Sequence, residues 1–200
     1  MKYKFKLETD FSKLPSDFVA IDTETGGLDA MKHALLSVAM WSPSGPADTF
    51  LMKPFGKVEP DAIKINKLDV AKCANEGLSC GQAAERIMHY IGRRPVVGQN
   101  IAFDMSFLAS RVFGIKAGSP AVRLLDTIRL YDTHNIFRSM HQTEPSKLFE
   151  LAAFYGVNIG DSYHDALFDA EVTGRVYLKM CEEIAARRCD DLRALAEVMA

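Results

Sequence analysis

The sequence contains few cysteines and no long apolar run. Its four cysteines show no C-x-x-C spacing and no grouping with histidines, which indicates reduced thiols in a cytoplasmic protein. No apolar run approaches the ~20 residues that a membrane-spanning helix needs, so no membrane association is expected. The segment Met1–Leu7 alternates lysine with apolar residues, which predicts a strand with a basic outer face rather than a signal peptide.

An excess of either charge is also lacking, because 24 basic and 26 acidic residues give a formal net charge of −2. The chain therefore has no global basic field of the kind that indicates nucleic-acid binding. This absence excludes little. A cluster of metal-binding carboxylates lowers the net charge without repelling an anionic substrate once the metal is bound.

The length and apolar content are sufficient for one domain. Of the 200 residues, 48% are apolar, and no repeat, low-complexity tract or linker divides them. We therefore predict a single domain over residues 1–200, with a core of about 18–188 and a short amphipathic helix at 190–199 that packs on the body or docks a partner. Strands that begin as a hairpin and later alternate with helices predict a mixed α/β sheet.

Apolar runs that stop at turn residues predict the strands, and capping residues predict the helix limits. The predicted strands are Phe18–Ile21, His33–Trp41, Asp48–Met52, Pro95–Gly98 and Val122–Leu125. The predicted helices are two short ones within Pro60–Asn75, then Gln82–Ile91 after a Ser79 cap, Ala102–Phe113 after an Asn100 cap, Asp126–Phe137, Ser146–Tyr155 and His164–Arg188. The polar segment Arg138–Pro145 is predicted to be a loop.

Two carboxylates follow the first predicted strand. Asp22 and Glu24 are two residues apart, so on a strand they point to the same face. Adjacent anions repel unless a cation lies between them, and hard oxygen ligands suit Mg²⁺ or Mn²⁺. An isolated D-x-E is more often a polar strand end, so the metal interpretation depends on further ligands.

Candidate ligands occur at two later points of the chain. Asp104 lies in the first turns of the helix that follows Gln99–Asn100, where a carboxylate also favours the helix dipole. His164 and Asp169 are five residues apart, roughly 140° around a helix, and so face one point only if His164 precedes the helix. A lone histidine at that place could equally cap or pack the helix start.

These motifs, in this order and spacing, resemble the DEDDh family of 3′–5′ exonucleases, which includes replicative proofreading subunits, ribonuclease T and oligoribonuclease. The resemblance runs from about Phe18 to Val176 and includes Leu125–Thr127 and the helix before Gly156. It implies a ribonuclease H-like, five-stranded mixed sheet flanked by helices. The chain departs from many relatives in having Gln99 before Asn100 and the acidic Asp165 after the histidine.

The resemblance also implies a mechanism. Four carboxylates would hold two Mg²⁺ or Mn²⁺ ions about 4 Å apart; they are Asp22, Glu24, Asp104 and Asp169. Asp22 would bridge the ions, Glu24 and Asp169 would support the one that activates water, and His164 would act as the general base.

Substrate contacts carried over from the family are more numerous. Thr25, Gly26 and Gly27 would bring backbone amides to the terminal nucleotide, and Asn100 would contact the backbone or cap its helix. The predicted apolar contacts to the bases are Leu28, Ile65, Phe103 and Phe107, each of which could instead be ordinary core. The implied partners are a single-stranded DNA or RNA 3′ end and, further, a polymerase or a second copy of the chain.

Two other functions compete for the same residues. The segment Asp22–Gly26 also resembles the nucleophile loop of haloacid-dehalogenase-type phosphatases, in which Asp161 and Asp165 would bind Mg²⁺. That interpretation leaves Asp104 and Asp169 without a role. The chain could also be a catalytically silent module that binds nucleic acid or a polymerase.

Overall fold

The computed structural model describes residues 5–114, 125, 127–142, 147–159 and 165–198, with the backbone alone described for 191–198. These residues form a sheet with helices on both faces. The strands are β1 (Val19–Thr25), β2 (Leu35–Ser42), β3 (Gly45–Leu51), β4 (Val96–Gly98) and β5 (Leu130–Asp132). The α-helices of the described part are α1 (Pro60–Asn66), α2 (Val70–Glu76), α3 (Cys80–Ile91), α4 (Ile101–Phe107), α5 (Thr133–His141), α6 (Leu148–Phe154) and α7 (Ala166–Val198).

The sheet is mixed, with the strand order β3-β2-β1-β4-β5. β2 pairs antiparallel with both β1 and β3, whereas β4 pairs parallel with β1 and with β5. The carboxyl ends of β1, β4 and β5 therefore meet at one edge of the sheet. The predicted ribonuclease H-like, five-stranded mixed sheet flanked by helices is confirmed.

β1 is the central strand, and its residues alternate between two cores. Val19 and Ile21 pack in a core with α3 and α4, while Phe18 and Ala20 pack in a second core with α5, α6 and α7. Because side chains alternate along a strand, the residues that follow Ile21 continue the same two faces. The second core includes a close edge-to-face pair of aromatic rings, Phe18 and Tyr177, with centroids 4.5 Å apart.

α7 lies directly against the sheet because of a glycine. A Cβ atom at Gly174 would lie 2.3 Å from a ring carbon of Trp41 on β2 and 3.4 Å from the Cβ of Ala20 on β1. A hydrogen at this position lets the helix approach the sheet to a distance that a larger residue would prevent. Within the described residues, no helix is both long and apolar enough to cross a lipid bilayer.

The structure corrects the predicted elements after residue 125. Leu130–Asp132 forms β5, in the middle of the predicted helix Asp126–Phe137, and α5 then continues through His141 into the predicted loop. Leu130 and Tyr131 are both buried, because both faces of β5 are covered. A short run that is apolar on both faces carries no strand alternation. Most of the predicted strand Val122–Leu125 lies outside the described residues.

Two helix ends differ in detail from the sequence-based expectation. Asn100 occupies the N-cap position of α4, as predicted, but its backbone is left-handed (φ 57°) and its side chain makes no capping bond. α7 runs without interruption from Ala166 to Val198, so residues 190–198 are not a separate helix. The segment around Cys189 contains no glycine or proline that would end the helix.

Candidate active site

Three carboxylates meet at the carboxyl end of β1. Asp22 and Glu24 lie on the face of the sheet that α7 covers, and Asp169 comes from the first turn of α7. One ligand oxygen from each of the three lies within 4.8 Å of the others. The structure therefore brings together three of the four predicted metal ligands.

The start of α7 fixes the position of Asp169. The carboxylate of Asp165 accepts the backbone N–H groups of Leu167 and Phe168 at 3.0 and 3.1 Å, which caps the helix. The Asp169 N–H donates to the backbone carbonyl of Asp165 at 2.9 Å. His164 lies outside the described residues, so its predicted role remains a prediction.

Asp104 reaches the same end of β1 from the opposite face of the sheet. It lies on α4, is buried, and accepts a hydrogen bond of 2.7 Å from the hydroxyl of Thr23. The negative charge of Asp104 raises the pKa of Asp22 more than the charges of Asp169 and Glu24 do. Asp104 is therefore a near neighbour of Asp22, although it lies outside the group of three.

The carboxylates raise one another's pKa values. The pKa of Asp22 is well above its usual value, first because of burial and then because of the charges of Asp104, Asp169 and Glu24. Burial, followed by the charges of Asp169 and Asp104, raises the pKa of Glu24 to about 8. Burial also raises the pKa of Asp104 to about 7, although the hydrogen bond from Thr23 opposes the change. Such a cluster stays fully ionised near neutral pH only with a cation among its members.

Asp132, which was not predicted from the sequence, holds the turn before α4. Its carboxylate accepts the backbone N–H groups of Asn100 at 3.3 Å, Ile101 at 3.1 Å and His134 at 3.0 Å. It thereby caps the starts of both α4 and α5. The feature of the sequence that could have indicated Asp132 is the dipeptide Asp132–Thr133. It has the same two residues as Asp126–Thr127, and its aspartate is the last residue of β5.

A cavity of about 590 Å³ opens beside Glu24, within the size range of small-molecule sites. Its described lining consists of Glu24, Thr25, Gly27, Leu28, His33, Glu59, Asp61, Ala62, Ile65 and Asn66. Four predicted substrate contacts are thus grouped around one cavity. The exposed fractions of Leu28 and Ile65 are 86% and 55%, so both apolar side chains are available to a ligand. We refer to this cavity as the Glu24 pocket.

Gly26 does not offer its amide to this pocket. Its N–H donates to the backbone carbonyl of Ala34 at 2.8 Å, and a Cβ atom there would lie 2.7 Å from the Lys57 carbonyl oxygen. The predicted amide contact from Gly26 is therefore corrected. This glycine serves instead to let the segment at Lys57 approach the end of β1.

The two predicted phenylalanine contacts are not equivalent. Phe103 is half-buried, while Phe107 has no exposed surface and lies in the core, with the two ring centroids 5.1 Å apart. A base could contact Phe103 but not Phe107. The predicted contact between Phe107 and a base is therefore wrong. Asn100 stays a prediction as a contact to the nucleic-acid backbone.

Asn66 is a second residue that the sequence analysis missed as a support of the site. It is buried at the end of α1, and its side-chain amide donates to the backbone carbonyl of Thr25 at 3.1 Å. Its carbonyl oxygen accepts the N–H of Leu68 at 3.2 Å. A further hydrogen bond from Asn66 favours the charged form of Glu24. Asn66 therefore holds the end of β1 on the pocket side.

The residues present fit a divalent cation of the magnesium class. The donors are carboxylate oxygens alone, which suit Mg²⁺ and Mn²⁺ better than softer metals. Burial and then the charges of neighbouring carboxylates raise the pKa values of Asp22 and Glu24, and a bound cation would relieve this repulsion.

A family model described as Exonuclease (RNase_T) matches residues 19–177. Among similar proteins, the DNA polymerase III subunit epsilon of Pasteurella multocida is 25% identical over 83% of this chain and 68% of its own length. Ribonuclease T of Haemophilus influenzae is 26% identical over 83% of this chain and 80% of its own.

Solved structures of similar fold include Exonuclease I and S. pombe Pop2p. Exonuclease I superposes with a TM-score of 0.71 and 18% identity over 90% of this chain, which spans only 44% of that protein. S. pombe Pop2p, in a form with Mg²⁺ and Mn²⁺ bound, gives a TM-score of 0.68 and 14% identity over 82% of each chain.

The family match agrees with the geometry. The phosphatase interpretation is not supported, because Asp104 and Asp169, which it leaves without a role, both belong to the acidic cluster. Asp165, which that interpretation uses as a metal ligand, instead caps α7. From its motifs, its fold and the match over residues 19–177, the chain belongs to the exonuclease family of metal-dependent hydrolases.

Proposed function

We propose that the protein is a 3′–5′ exonuclease that releases nucleoside 5′-monophosphates from single-stranded nucleic acid by two-metal-ion hydrolysis. The observation that carries the proposal is the convergence of Asp22, Glu24 and Asp169 within 4.8 Å, with Asp104 adjacent on the other face. An apolar pocket lies directly beside these carboxylates. The scissile phosphate and the terminal nucleotide therefore have neighbouring sites.

The carboxylates would hold two Mg²⁺ or Mn²⁺ ions, with Asp22 shared between them. When bound, the ions supply Lewis acidity that favours attack by water and stabilises charge on the leaving 3′ oxygen. Thr23 orients Asp104 through its hydroxyl, and Asn66 orients the carboxylate of Glu24. His164 would take the proton of the attacking water, for which an unperturbed pKa of ~6.5 is suitable.

The terminal nucleotide would occupy the Glu24 pocket. Leu28 and Ile65 present exposed apolar surface there, against which a base of any sequence can pack. Thr25 and Gly27 line the same pocket, and the half-buried ring of Phe103 on α4 stays a proposed contact to a base. These contacts do not distinguish bases, so low sequence specificity is expected.

The partner would be the 3′ end of single-stranded DNA or RNA. The similar proteins include a polymerase subunit and a ribonuclease, so both a polymerase-bound and a stand-alone enzyme have relatives of comparable identity. A cytoplasmic location fits either role. A second copy of the chain is a further proposed partner.

The test is degradation of matched single-stranded DNA and RNA labelled at either end, with Mg²⁺ or Mn²⁺. A 3′–5′ exonuclease converts 5′-labelled strands into a ladder and releases labelled mononucleotide at once from 3′-labelled strands. The Asp22→Asn variant controls for contaminating nucleases. If purified protein shortens no strand with either metal, the alternative of a catalytically silent binding module replaces the proposal.

A further inference from the structure

Exposed apolar side chains concentrate on one side of the Glu24 pocket. Of the six large hydrophobic side chains that are exposed in the described part, four lie on the segments 28–31 and 55–65 and two on α6. Leu28 and Ile65 belong to the pocket itself. Met31 and Phe55, with exposed fractions of 55% and 69%, lie beyond it. We refer to the area of Met31, Phe55, Lys57 and Arg111 as the Phe55 surface.

The ring of Phe55 is held in place by its surroundings. The guanidinium carbon of Arg111 lies 5.6 Å from the centroid of this ring. The segment is also tied by its backbone, since the Lys57 N–H donates to the Lys32 carbonyl at 2.8 Å. The loop that carries Met31 is fixed in turn by Ser110, whose hydroxyl donates to the Ala30 carbonyl at 2.8 Å. The backbone that carries the exposed ring is therefore tied to the loop 28–33, and Arg111 packs against the ring.

The surroundings of this ring are cationic. Lys53 and Lys57 are exposed on either side of Phe55, and Arg111 lies over it. Nε and Nη2 of Arg111 are buried, and neither has a hydrogen-bond partner among the described residues. Lys32, the remaining cation, forms an ion pair of 3.2 Å with Asp29. Because these two donors are buried, the guanidinium would act on an anion at the surface through its charge.

The Phe55 surface is continuous with the Glu24 pocket. The Lys57 carbonyl accepts the N–H of Ala34 at 2.8 Å, and the N–H of Glu59, a pocket residue, donates to the Gly26 carbonyl at 2.7 Å. On the other side, Leu28 and Met31 lie on the same short loop. The pocket and the Phe55 surface are therefore built on the same two segments, 26–34 and 55–59.

We propose that the Phe55 surface binds the single-stranded nucleic acid on the 5′ side of the nucleotide in the Glu24 pocket. This inference rests on the function proposed above and extends its substrate site. An exposed aromatic ring stacks with any base, and cations around it contact the phosphates, which is the usual construction of sequence-independent single-strand sites. The occupant is a polyanion because the charged side chains next to the ring, Lys53, Lys57 and Arg111, are cationic.

The closing experiment compares Phe55→Ala with wild type on two substrates, the p-nitrophenyl ester of a nucleoside 5′-monophosphate, which has no nucleotide on the 5′ side, and a strand of about 12 nucleotides. Truncation of the exposed ring should raise KM for the long strand about tenfold, from the loss of one stacked base, and leave KM for the ester unchanged. Phe154→Ala is the matched control, because its exposed fraction of 58% is similar and it lies on α6. Equal KM values for Phe55→Ala and wild type on the long strand would overturn the inference.

The phosphate contacts have a separate readout. Binding of a labelled strand, measured by fluorescence anisotropy without divalent metal, should depend less on salt in Lys57→Gln, by about 0.7 in the slope of log K against log salt. Lys179→Gln on α7 is the matched control. An unchanged slope in Lys57→Gln would remove that lysine from the site.

The same binding assay separates this inference from the proposed function. Strand binding that Phe55→Ala weakens, in a protein that cleaves nothing, would sustain the surface and refute the exonuclease proposal. Normal cleavage with no effect of Phe55→Ala would do the reverse. If Phe55→Ala instead changes the oligomeric mass in solution and not strand binding, the surface is an interface between copies of this chain, and the inference is wrong.

Discussion

At the scale of single residues, the chemistry of the site depends on side chains that differ in what they contact. Asp22, Glu24 and Asp169 face one another, whereas Asp104 is oriented by Thr23 from behind the strand. Substitution of a histidine that acts only on the proton of the attacking water should lower turnover without lowering metal affinity. Substitution of a metal ligand should lower both.

His164→Ala should reduce turnover by about 10²- to 10⁴-fold, the usual contribution of a general base, with little change in Mn²⁺ affinity. Asp22→Asn should lose both turnover and Mn²⁺ affinity, because Asp22 is surrounded by the other carboxylates. Turnover of a single-stranded oligonucleotide and calorimetric titration with Mn²⁺ measure the two quantities. Wild-type turnover of His164→Ala at neutral pH would contradict the general-base role.

Asn66 gives a second prediction at this scale. Asn66→Ala should weaken Mn²⁺ binding by about 10-fold or more, because residues that orient metal ligands typically contribute that much. The physical reason is the loss of its bonds to Thr25 and Glu24, which leaves Glu24 free to adopt other rotamers. Calorimetric titration with Mn²⁺ measures the effect.

Asn75→Ala is the matched control for Asn66, since Asn75 is exposed on α2. Equal Mn²⁺ affinities of Asn66→Ala and Asn75→Ala would show that Asn66 supports only the local backbone. Asn66→Ala could also lose stability, so its thermal midpoint is compared at the same time. A loss of affinity in a protein of unchanged midpoint isolates the positioning role.

At the scale of elements, the site depends on how closely α7 approaches the sheet. Gly174→Ala places a methyl group 2.3 Å from the Trp41 ring, so the helix or the ring must move. We expect a loss of about 1–3 kcal/mol of unfolding free energy, as for other overpacked cores. Mn²⁺ affinity should also fall, because Asp169 is carried by the same helix. Urea denaturation and Mn²⁺ titration measure these effects.

Gly81→Ala is the control for this prediction. Gly81 lies in α3, and a Cβ atom there meets nothing within 4 Å. Alanine in a helix is favoured over glycine by up to ~1 kcal/mol, so this variant should be as stable as wild type or more so. A Gly174→Ala protein with wild-type stability and Mn²⁺ affinity would show that the contact with Trp41 does not control the site.

The sequence predicted most elements but not β5 or the limits of α7. Strands and helices with clear periodicity or capping residues, such as α3 after Ser79, were found because local signals define them. β5 has three buried residues and is defined by its pairing with β4, which no local pattern records. The three mutually close ligands were found because their spacing encodes strand and helix geometry. Asp132 and Asn66 were missed because each acts on residues more than 30 positions away.

At the scale of the whole molecule, the acidic cluster links folding stability to pH and to metal. In the metal-free protein the pKa of Glu24 is raised to about 8 and that of Asp104 to about 7, and Asp22 is raised as well. Unfolding returns these groups to ordinary values near 4. Between these limits the folded state binds more protons than the unfolded state, so the contribution to stability is full at low pH and is lost as pH rises.

We therefore expect the thermal midpoint of the metal-free protein to fall by several degrees between pH 5 and pH 8. Saturating Mn²⁺ should raise the midpoint more at pH 8 than at pH 5, because the ion binds the deprotonated carboxylates. Scanning fluorimetry with EDTA or Mn²⁺ at both values measures this. Asp22→Asn is the reference for other titrating groups, since it removes a central charge from the cluster and should flatten both dependences. A metal-free midpoint that rises with pH as much in wild type as in Asp22→Asn would mean that these carboxylates are already compensated without a cation.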